Sequence, residues 1–337
     1  MNNQTWRRIG RRTLVSVAVL LVCGLGALGA CAWRAAARET KTRAEAAPRG
    51  GRFVRSTDVD IFVQELGPRD APPVLFVHGM GAWSEIWRET LMATAAAGFR
   101  AIAMDLPPFG YSGRPTPPAY GRQVQARRIL AVIDALGLGQ ATLVGHSFGG
   151  GPTLEAVMLD PSRVKALVLA DAAIGLDAVD SSNSATTRLL RWRWFRESVV
   201  AATVTNPLLT RRLLTQFMAR TSEATDARIA MLQAPLVTQG ATAAFGDWLV
   251  DFMTSREPAL SRQPDAYRSL AVPTLIIWGD QDTTTPLSQG QRLAQLIPGS
   301  ELTVMAGVGH MPQIEDVGRF NQVLLAYLRG QRSRIRL

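Results

Sequence analysis

The pentapeptide Gly145-His146-Ser147-Phe148-Gly149 decides the fold of this chain. The four residues before it, Ala141-Thr142-Leu143-Val144, are apolar and β-prone, which predicts a short buried strand. A helical pattern follows, so the serine lies on a strand-to-helix turn. The serine backbone is strained at such a turn, and the residues two before and two after it must be small to avoid a collision. Gly145 and Gly149 meet this requirement, which points to Ser147 as a nucleophile.

Buried strands and helices alternate on both sides of this turn. Short apolar runs predict strands at 74–77, 101–104, 141–144, 164–170, 274–278 and 301–305. Strands that alternate with helices at this spacing predict a mostly parallel sheet covered on both faces, hence an α/β fold. The segments 53–55 and 59–65 predict an antiparallel hairpin at one edge of the sheet. Between 172 and 269 the pattern is helical, and so long an insertion predicts a helical cap over an active site.

Composition excludes several classes of protein. The chain has 337 residues, a hydrophobic fraction of 47% and a net charge of +10. Residues 1–52 carry +8 and residues 329–337 carry +4, which leaves −2 for the body. A body with this charge does not indicate a nucleic-acid-binding protein. With only three histidines, and cysteines only at positions 23 and 31, we expect no metal site and no disulfide framework.

The N-terminal segment predicts a membrane attachment. Residues 1–12 are basic, and the charge-free run 13–33 has the roughly 20 residues that span a bilayer. The arginines ahead of the run favour a cytoplasmic N-terminus and an exported body. We prefer a transmembrane signal anchor, with a lipoprotein modified at Cys31 and a cleaved signal peptide as alternatives. Residues 34–52 are predicted to be a polar linker.

Four motifs in this chain order resemble those of the α/β-hydrolase family, in its capped, serine-nucleophile branch of esterases and C–C hydrolases. They are His78-Gly79-Met80-Gly81, the Ser147 turn, Gly279-Asp280-Gln281-Asp282 and Gly307-Val308-Gly309-His310. The resemblance covers residues 53–329. It implies a hydrolase core at 53–171 and 270–329, with the cap at 172–269 and a basic tail at 330–337.

The resemblance also implies a catalytic triad. A serine hydroxyl needs a base in hydrogen-bond contact. His146 adjoins Ser147 on the same turn, so its side chain should point away, and the counterpart of His78 in the family is structural. His310 is therefore the predicted base. Its carboxylate partner is Asp282 by resemblance.

Two other aspartates stay open as the acid of the triad. Asp280 lies in the same segment as the preferred residue, and Asp171 ends the strand 164–170, where some family members carry the acid. By resemblance the backbone amides of Met80 and Phe148 form the oxyanion hole, because backbone donors can hold the charge that develops on the carbonyl oxygen.

We therefore predict a carboxylesterase that acts on a small-molecule ester through an acyl-enzyme, without cofactor or metal. Trp83, Phe109 and Met311 are the predicted substrate-binding side chains. C–C bond hydrolases, perhydrolases and lactonases share this triad, and a non-catalytic ligand-binding protein on the same fold is a further alternative. No protein partner and no nucleic acid are predicted.

Overall fold

An eight-stranded sheet forms the centre of the computed structural model, which describes residues 3–176, 184–254 and 258–330. Its strands are β1 (Gly51–Arg55), β2 (Asp60–Leu66), β3 (Pro73–Val77), β4 (Arg100–Met104), β5 (Ala141–His146), β6 (Val164–Ala170), β7 (Thr274–Gly279) and β8 (Glu301–Met305). They lie in the order β1-β2-β4-β3-β5-β6-β7-β8. β2 is antiparallel to β1 and β4, and all other neighbours are parallel. The predicted mostly parallel sheet and its edge hairpin are confirmed.

Helices cover both faces of this sheet. The helices of the described residues, including those that lie outside these two layers, are α1 (Asn3–Arg38), α2 (Arg43–Ala46), α3 (Arg88–Ala96), α4 (Arg122–Ala135), α5 (Gly150–Leu159), α6 (Ala185–Leu190), α7 (Arg193–Ala202), α8 (Thr210–Gln216), α9 (Asp226–Gln233), α10 (Ala241–Thr254), α11 (Leu287–Leu296), α12 (Pro312–Glu315) and α13 (Val317–Leu328). Ile129 of α4 and Leu154 of α5 belong to the apolar cluster on one face. Leu91 of α3 and Phe320 of α13 belong to the cluster on the other. Burying each such side chain stabilises the fold by roughly 1.5–3 kcal/mol.

Helices α6 to α10 fill the stretch between β6 and β7, which we call the cap. The sequence predicts one helix over 188–200, but the structure has α6 and α7 there, separated at Trp192, whose backbone is extended. The sequence also predicts one helix over 207–219, but this segment starts as a 3₁₀ turn, Pro207–Leu209, and becomes α-helical as α8. Asn206 caps this turn by accepting a hydrogen bond from the amide of Leu208 (3.1 Å).

The predicted linker 34–52 differs in the structure, where much of it is regular and attached to the cap. Helix α1 continues to Arg38, because the alanines that precede Arg38 favour a helix. Residues 38–43, here called the strap, then run beside the cap. Lys41 donates its amide to the carbonyl of Val237 (3.1 Å), and Gln239 donates its amide to the carbonyl of Lys41 (2.8 Å). Unpaired backbone groups of the cap thus find partners in the strap.

No helix in the described part of the chain is both long and apolar enough to cross a bilayer. The predicted transmembrane segment 13–33 lies within α1, but the side chains of residues 13–15, 17–19 and 21 fall outside the described part. The membrane segment stays a prediction. Cys31 lies in α1 as a free thiol, and its lipidation also stays a prediction. Residues 331–337 of the basic tail are outside the described residues as well.

Candidate active site

Ser147 lies directly after β5, at the first position of the 3₁₀ turn Ser147–Gly149 that leads into α5. Its φ angle is +50°, in the left-handed region that non-glycine residues rarely adopt. A Cβ at Gly145 would come within 2.7 Å of the Thr153 hydroxyl, and one at Gly149 within 2.3 Å of the His78 carbonyl oxygen. The predicted need for small residues on both sides of the serine is therefore confirmed.

The structure brings Ser147, His310 and Asp282 into one hydrogen-bonded chain. His310 follows β8 on a loop, and its Nε2 lies 2.7 Å from the Ser147 Oγ. Its Nδ1 lies 2.7 Å from Oδ2 of Asp282. His310 and Asp282 are both buried. This arrangement suits transfer of the serine proton to Nε2, with the carboxylate holding the opposite side of the ring.

Hydrogen bonds keep Asp282 in its charged form. Burial would raise the pKa of Asp282, but the bonds from His310 and Thr285 outweigh it, and the net pKa lies below its usual value. Oδ1 accepts from the amides of Thr284 (2.7 Å) and Thr285 (2.9 Å), and Oδ2 accepts from the Thr285 hydroxyl (2.6 Å). Thr285 is not among the residues that the sequence predicts for the site. The threonine-rich turn that follows Asp282 is the signal that could have found it.

The two alternative acids occupy different positions. Asp280 accepts the amide of Gly307 (2.7 Å) and so holds the loop after β8, not the imidazole. Asp171 is buried beside the triad, and its Oδ1 accepts the amide of Gly279 (2.9 Å). Burial raises the pKa of Asp171 well above its usual value, which favours the protonated carboxyl over the carboxylate. Of the three aspartates, only Asp282 contacts His310 as a carboxylate.

Asp171, Asp282 and His310 are the only cluster of potential metal ligands in the described residues. Their ligand atoms lie within 4.8 Å of one another. The Asp282 carboxylate and the His310 Nδ1 already bond to each other and to Thr285. The cluster is therefore arranged as a hydrogen-bond network.

The two predicted oxyanion donors lie beside the serine. Phe148 is the second residue of the 3₁₀ turn, where an amide has no partner within the helix. Met80 follows Gly79, and a Cβ at Gly79 would come within 2.8 Å of the Ser147 Cβ. Within the described residues neither amide donates a hydrogen bond. Both amides are therefore available to a carbonyl oxygen.

The other two histidines are neutral and structural. His78 Nε2 accepts the amide of Leu106 (2.8 Å), so Nδ1 carries the proton and donates it to the carbonyl of Gly79 (2.7 Å). His146 donates from Nε2 to the carbonyl of His310 (2.8 Å). Burial lowers the pKa of His78 to about 4 and that of His146 to about 3. His146 thus supports the backbone of His310.

Glu315 is a further residue that the sequence reasoning missed. Its buried carboxylate accepts four backbone amides. Two flank the triad histidine, Gly309 (3.1 Å) and Met311 (3.0 Å), and two belong to the cap, Ala219 (2.7 Å) and Arg220 (2.8 Å). Glu315 therefore fixes the histidine loop to the cap. An acidic residue five positions after His310 was the available signal.

A cavity opens at Ser147 between the core and the cap. Its apolar lining includes Met80, Ile86, Phe109, Val204, Leu213, Leu214, Phe217, Leu232, Leu236, Phe245 and Met311. Phe109 and Met311 thus lie where the sequence places them, but Trp83 does not line this cavity. Its indole N–H donates to the carbonyl of Met231 (2.8 Å), and its ring packs edge-on against Tyr111 at 5.2 Å. Trp83 therefore joins the core to the cap.

Comparisons with known proteins agree with this architecture. Residues 72–317 match the family model described as alpha/beta hydrolase fold. The chain is 31% identical over 274 residues to 2-hydroxymuconate semialdehyde hydrolase from Pseudomonas sp. (strain CF600), covering 76% of this chain and 86% of that protein. A meta-cleavage product hydrolase from Pseudomonas fluorescens superposes with a TM-score of 0.68 and 26% identity, covering 83% of this chain and 98% of its own. A membrane phospholipase A superposes with a TM-score of 0.66 and 25% identity, covering 96% and 99%.

Proposed function

Because this chain is a hydrolase that belongs to the alpha/beta hydrolase family, we propose that Ser147 attacks the carbonyl carbon of a carboxylic ester with an apolar acyl group. The apolar lining of the cavity at Ser147 carries this proposal. Aliphatic and aromatic side chains from both the core and the cap, such as Phe109 and Leu214, would surround the acyl chain. Burying each methylene of that chain contributes about 0.8 kcal/mol.

The residues act in sequence. The Ser147 Oγ bonds to the carbonyl carbon while its proton passes to Nε2 of His310, and Asp282 stabilises the imidazolium. The amides of Met80 and Phe148 donate to the oxyanion. His310 then gives the proton to the leaving alcohol. A water molecule then attacks the carbonyl carbon of the acyl-enzyme, with His310 again as the base, and the carboxylic acid leaves Ser147.

A second candidate is C–C bond hydrolysis, in which the leaving group is a carbon fragment. The sequence relatives favour this alternative over ester hydrolysis, since their names describe 2-hydroxymuconate semialdehyde and 2-hydroxy-6-oxo-2,4-heptadienoate hydrolases. The same serine, histidine and aspartate serve either bond. The lining of the cavity and the match to a membrane phospholipase A support the ester.

Hydrolysis of p-nitrophenyl esters from acetate to decanoate tests the proposal, with the full chain and Ser147→Ala side by side. We expect turnover that peaks at a medium acyl length and is lost in the variant. Cleavage of 2-hydroxymuconate semialdehyde is measured in parallel. Cleavage of that compound without turnover of any ester would refute ester hydrolysis and support C–C bond hydrolysis. If neither reaction occurs and a fluorophosphonate does not label Ser147, the chain is a binding protein.

We also propose that residues 13–33 anchor the enzyme in a membrane with its body exported. The arginines before the run and its length support this, as does the 96% coverage in the match to a membrane phospholipase A. Extraction of cell membranes with alkaline carbonate should leave the full chain in the pellet. A Cys31→Ser variant distinguishes the alternatives, because only a lipoprotein loses its attachment through this change.

A further inference from the structure

Arg114 places a positive charge in the wall of an otherwise apolar cavity. It lines the same cavity as Ser147, and among the described lining residues only Arg114 is permanently cationic. Its Nη1 donates to the carbonyl of Gln239, and its Nη2 donates to the hydroxyl of Thr238 (2.7 Å). Its Nε is shielded from solvent and has no partner in the described chain. Since a guanidinium carries five N–H donors, some stay available to a ligand.

No carboxylate in the described residues pairs with this charge. Tyr120 and Glu39 are the two acidic groups near Arg114. Burial raises the pKa of the Tyr120 phenol, which is neutral at pH 7. Glu39 accepts hydrogen bonds from the amide and hydroxyl of Thr242 and pairs with Arg38. Arg43 adds a further positive charge nearby. Burial lowers the pKa of Arg114 to about 10, so it is charged at pH 7. A largely buried charge without a counter-ion is costly, and a bound anion would remove that cost.

We propose that Arg114 binds an anionic oxyacid group, a carboxylate or a phosphate, on the substrate whose carbonyl lies at Ser147. A guanidinium matches the planar oxygens of such groups and favours them over neutral ones. The anion has two sources, a carboxylate at the far end of the acyl chain or a phosphate on the alcohol side. This inference rests on the proposed function, and its test separates the two.

The test compares matched neutral and anionic substrates on the full chain in a neutral detergent. The acyl arm pairs p-nitrophenyl hexanoate with mono-p-nitrophenyl adipate. The alcohol arm pairs dihexanoylglycerol with dihexanoylglycerol phosphate. Arg114→Gln removes the positive charge, and Arg114→Lys keeps the charge but lacks the paired N–H donors of the planar guanidinium. Thr238→Val is the matched control, because it removes one of the two groups that hold Arg114 and keeps the guanidinium.

We expect the ratio of kcat/KM for the anionic over the neutral substrate to fall by about tenfold to a hundredfold in Arg114→Gln in one arm, which identifies the source of the anion. The ratio for Arg114→Lys should lie between those of the unsubstituted chain and Arg114→Gln. The ratio for Thr238→Val should stay within about threefold of that of the unsubstituted chain. A ratio unchanged in both arms of Arg114→Gln overturns the proposal. An equal fall in kcat/KM for the neutral and the anionic substrates of Arg114→Gln also overturns it, since Arg114 would then serve only to attach the cap.

Binding of n-hexylphosphonate, measured by calorimetry on the same proteins, needs no turnover. Arg114→Gln should weaken its Kd by about tenfold or more relative to the unsubstituted chain. An unchanged Kd counts against Arg114 whatever the enzyme hydrolyses. Absent turnover of every ester with an intact Arg114-dependent Kd would refute the ester proposal and leave the anion site standing.

Discussion

Replacing Glu315 by glutamine tests how firmly the histidine loop must be held. Glutamine keeps one acceptor oxygen. Placed at the Oε2 position, it can still serve Ala219, Arg220 and Gly309, while its amino group faces the amide of Met311. The unpaired amide costs about 1–3 kcal/mol, and the three remaining bonds lose the strengthening from a charged acceptor. We expect a loss of about 3–5 kcal/mol in the free energy of unfolding.

For a chain of this size the loss corresponds to a decrease in Tm of roughly 5–10 °C. Because two of the four amides flank His310, the imidazole also loses its fixed position relative to Ser147. A displacement of about 1 Å at a reacting group can lower kcat by up to about 100-fold. At a temperature where both proteins are folded, we expect kcat/KM of Glu315→Gln to fall by about 10-fold to 100-fold on the best ester.

Glu155→Gln is the matched control. Glu155 is also a buried carboxylate, and it accepts the amides of Leu260 (3.0 Å) and Ser261 (2.8 Å) and the Ser261 hydroxyl (2.7 Å), away from the histidine loop. It should lose a similar stability by the same mechanism and keep kcat/KM within about threefold. Equal losses of activity in the two variants, at equal fractions folded, would refute a positioning role for Glu315.

Three further variants test separate parts of the argument. Asp282→Asn should lower kcat by roughly 10³–10⁴ because the imidazole loses its carboxylate partner, whereas Asp280→Asn should stay within about threefold in the same assay, since its oxygen can still accept an amide. Gly149→Ala should give insoluble or unstable protein by thermal unfolding, because its Cβ would meet a carbonyl oxygen at 2.3 Å, whereas Gly318→Ala has open space and should be tolerated. Burial raises the pKa of Asp105 to about 7, so the folded chain binds more protons than the unfolded chain between about pH 4 and pH 7, and stability falls as pH rises through this window. Asp105→Asn should make that fall shallower by about 1.4 kcal/mol per pH unit in denaturant titrations, and an unchanged slope would contradict the raised pKa.

The strands and the nucleophile turn can be predicted from the sequence because their signals are local. The short β-prone run Ala141-Thr142-Leu143-Val144 suffices to predict β5, and the glycines around Ser147 reflect contacts of the turn itself. Long-range contacts leave a weaker trace. Glu315 acts on amides of residues 219 and 220, nearly a hundred positions away, and no spacing rule connects them.

The sequence misplaces one aromatic side chain, Trp83, and one polar linker, residues 34–52. Trp83 lies near a motif, but it turns away from the cavity because a carbonyl of the cap accepts its indole N–H. The polar sequence of the strap is typical of a linker, yet its polar side chains Arg38 and Glu39 form hydrogen bonds that attach it to the cap. Both outcomes depend on where the cap lies over the core, which composition does not encode.

The strap sets the shortest fragment of this protein that keeps its cavity intact. Leu236, whose carbonyl accepts a hydrogen bond from Arg38 of the strap (3.0 Å), also forms part of the cavity wall. Processing at Cys31 would leave the strap in place, as would an uncleaved anchor, so either maturation route delivers the same active-site wall. A recombinant body that starts at Gly51 discards the strap, and its substrate preference would then describe the trimmed protein and not the one that the cell makes.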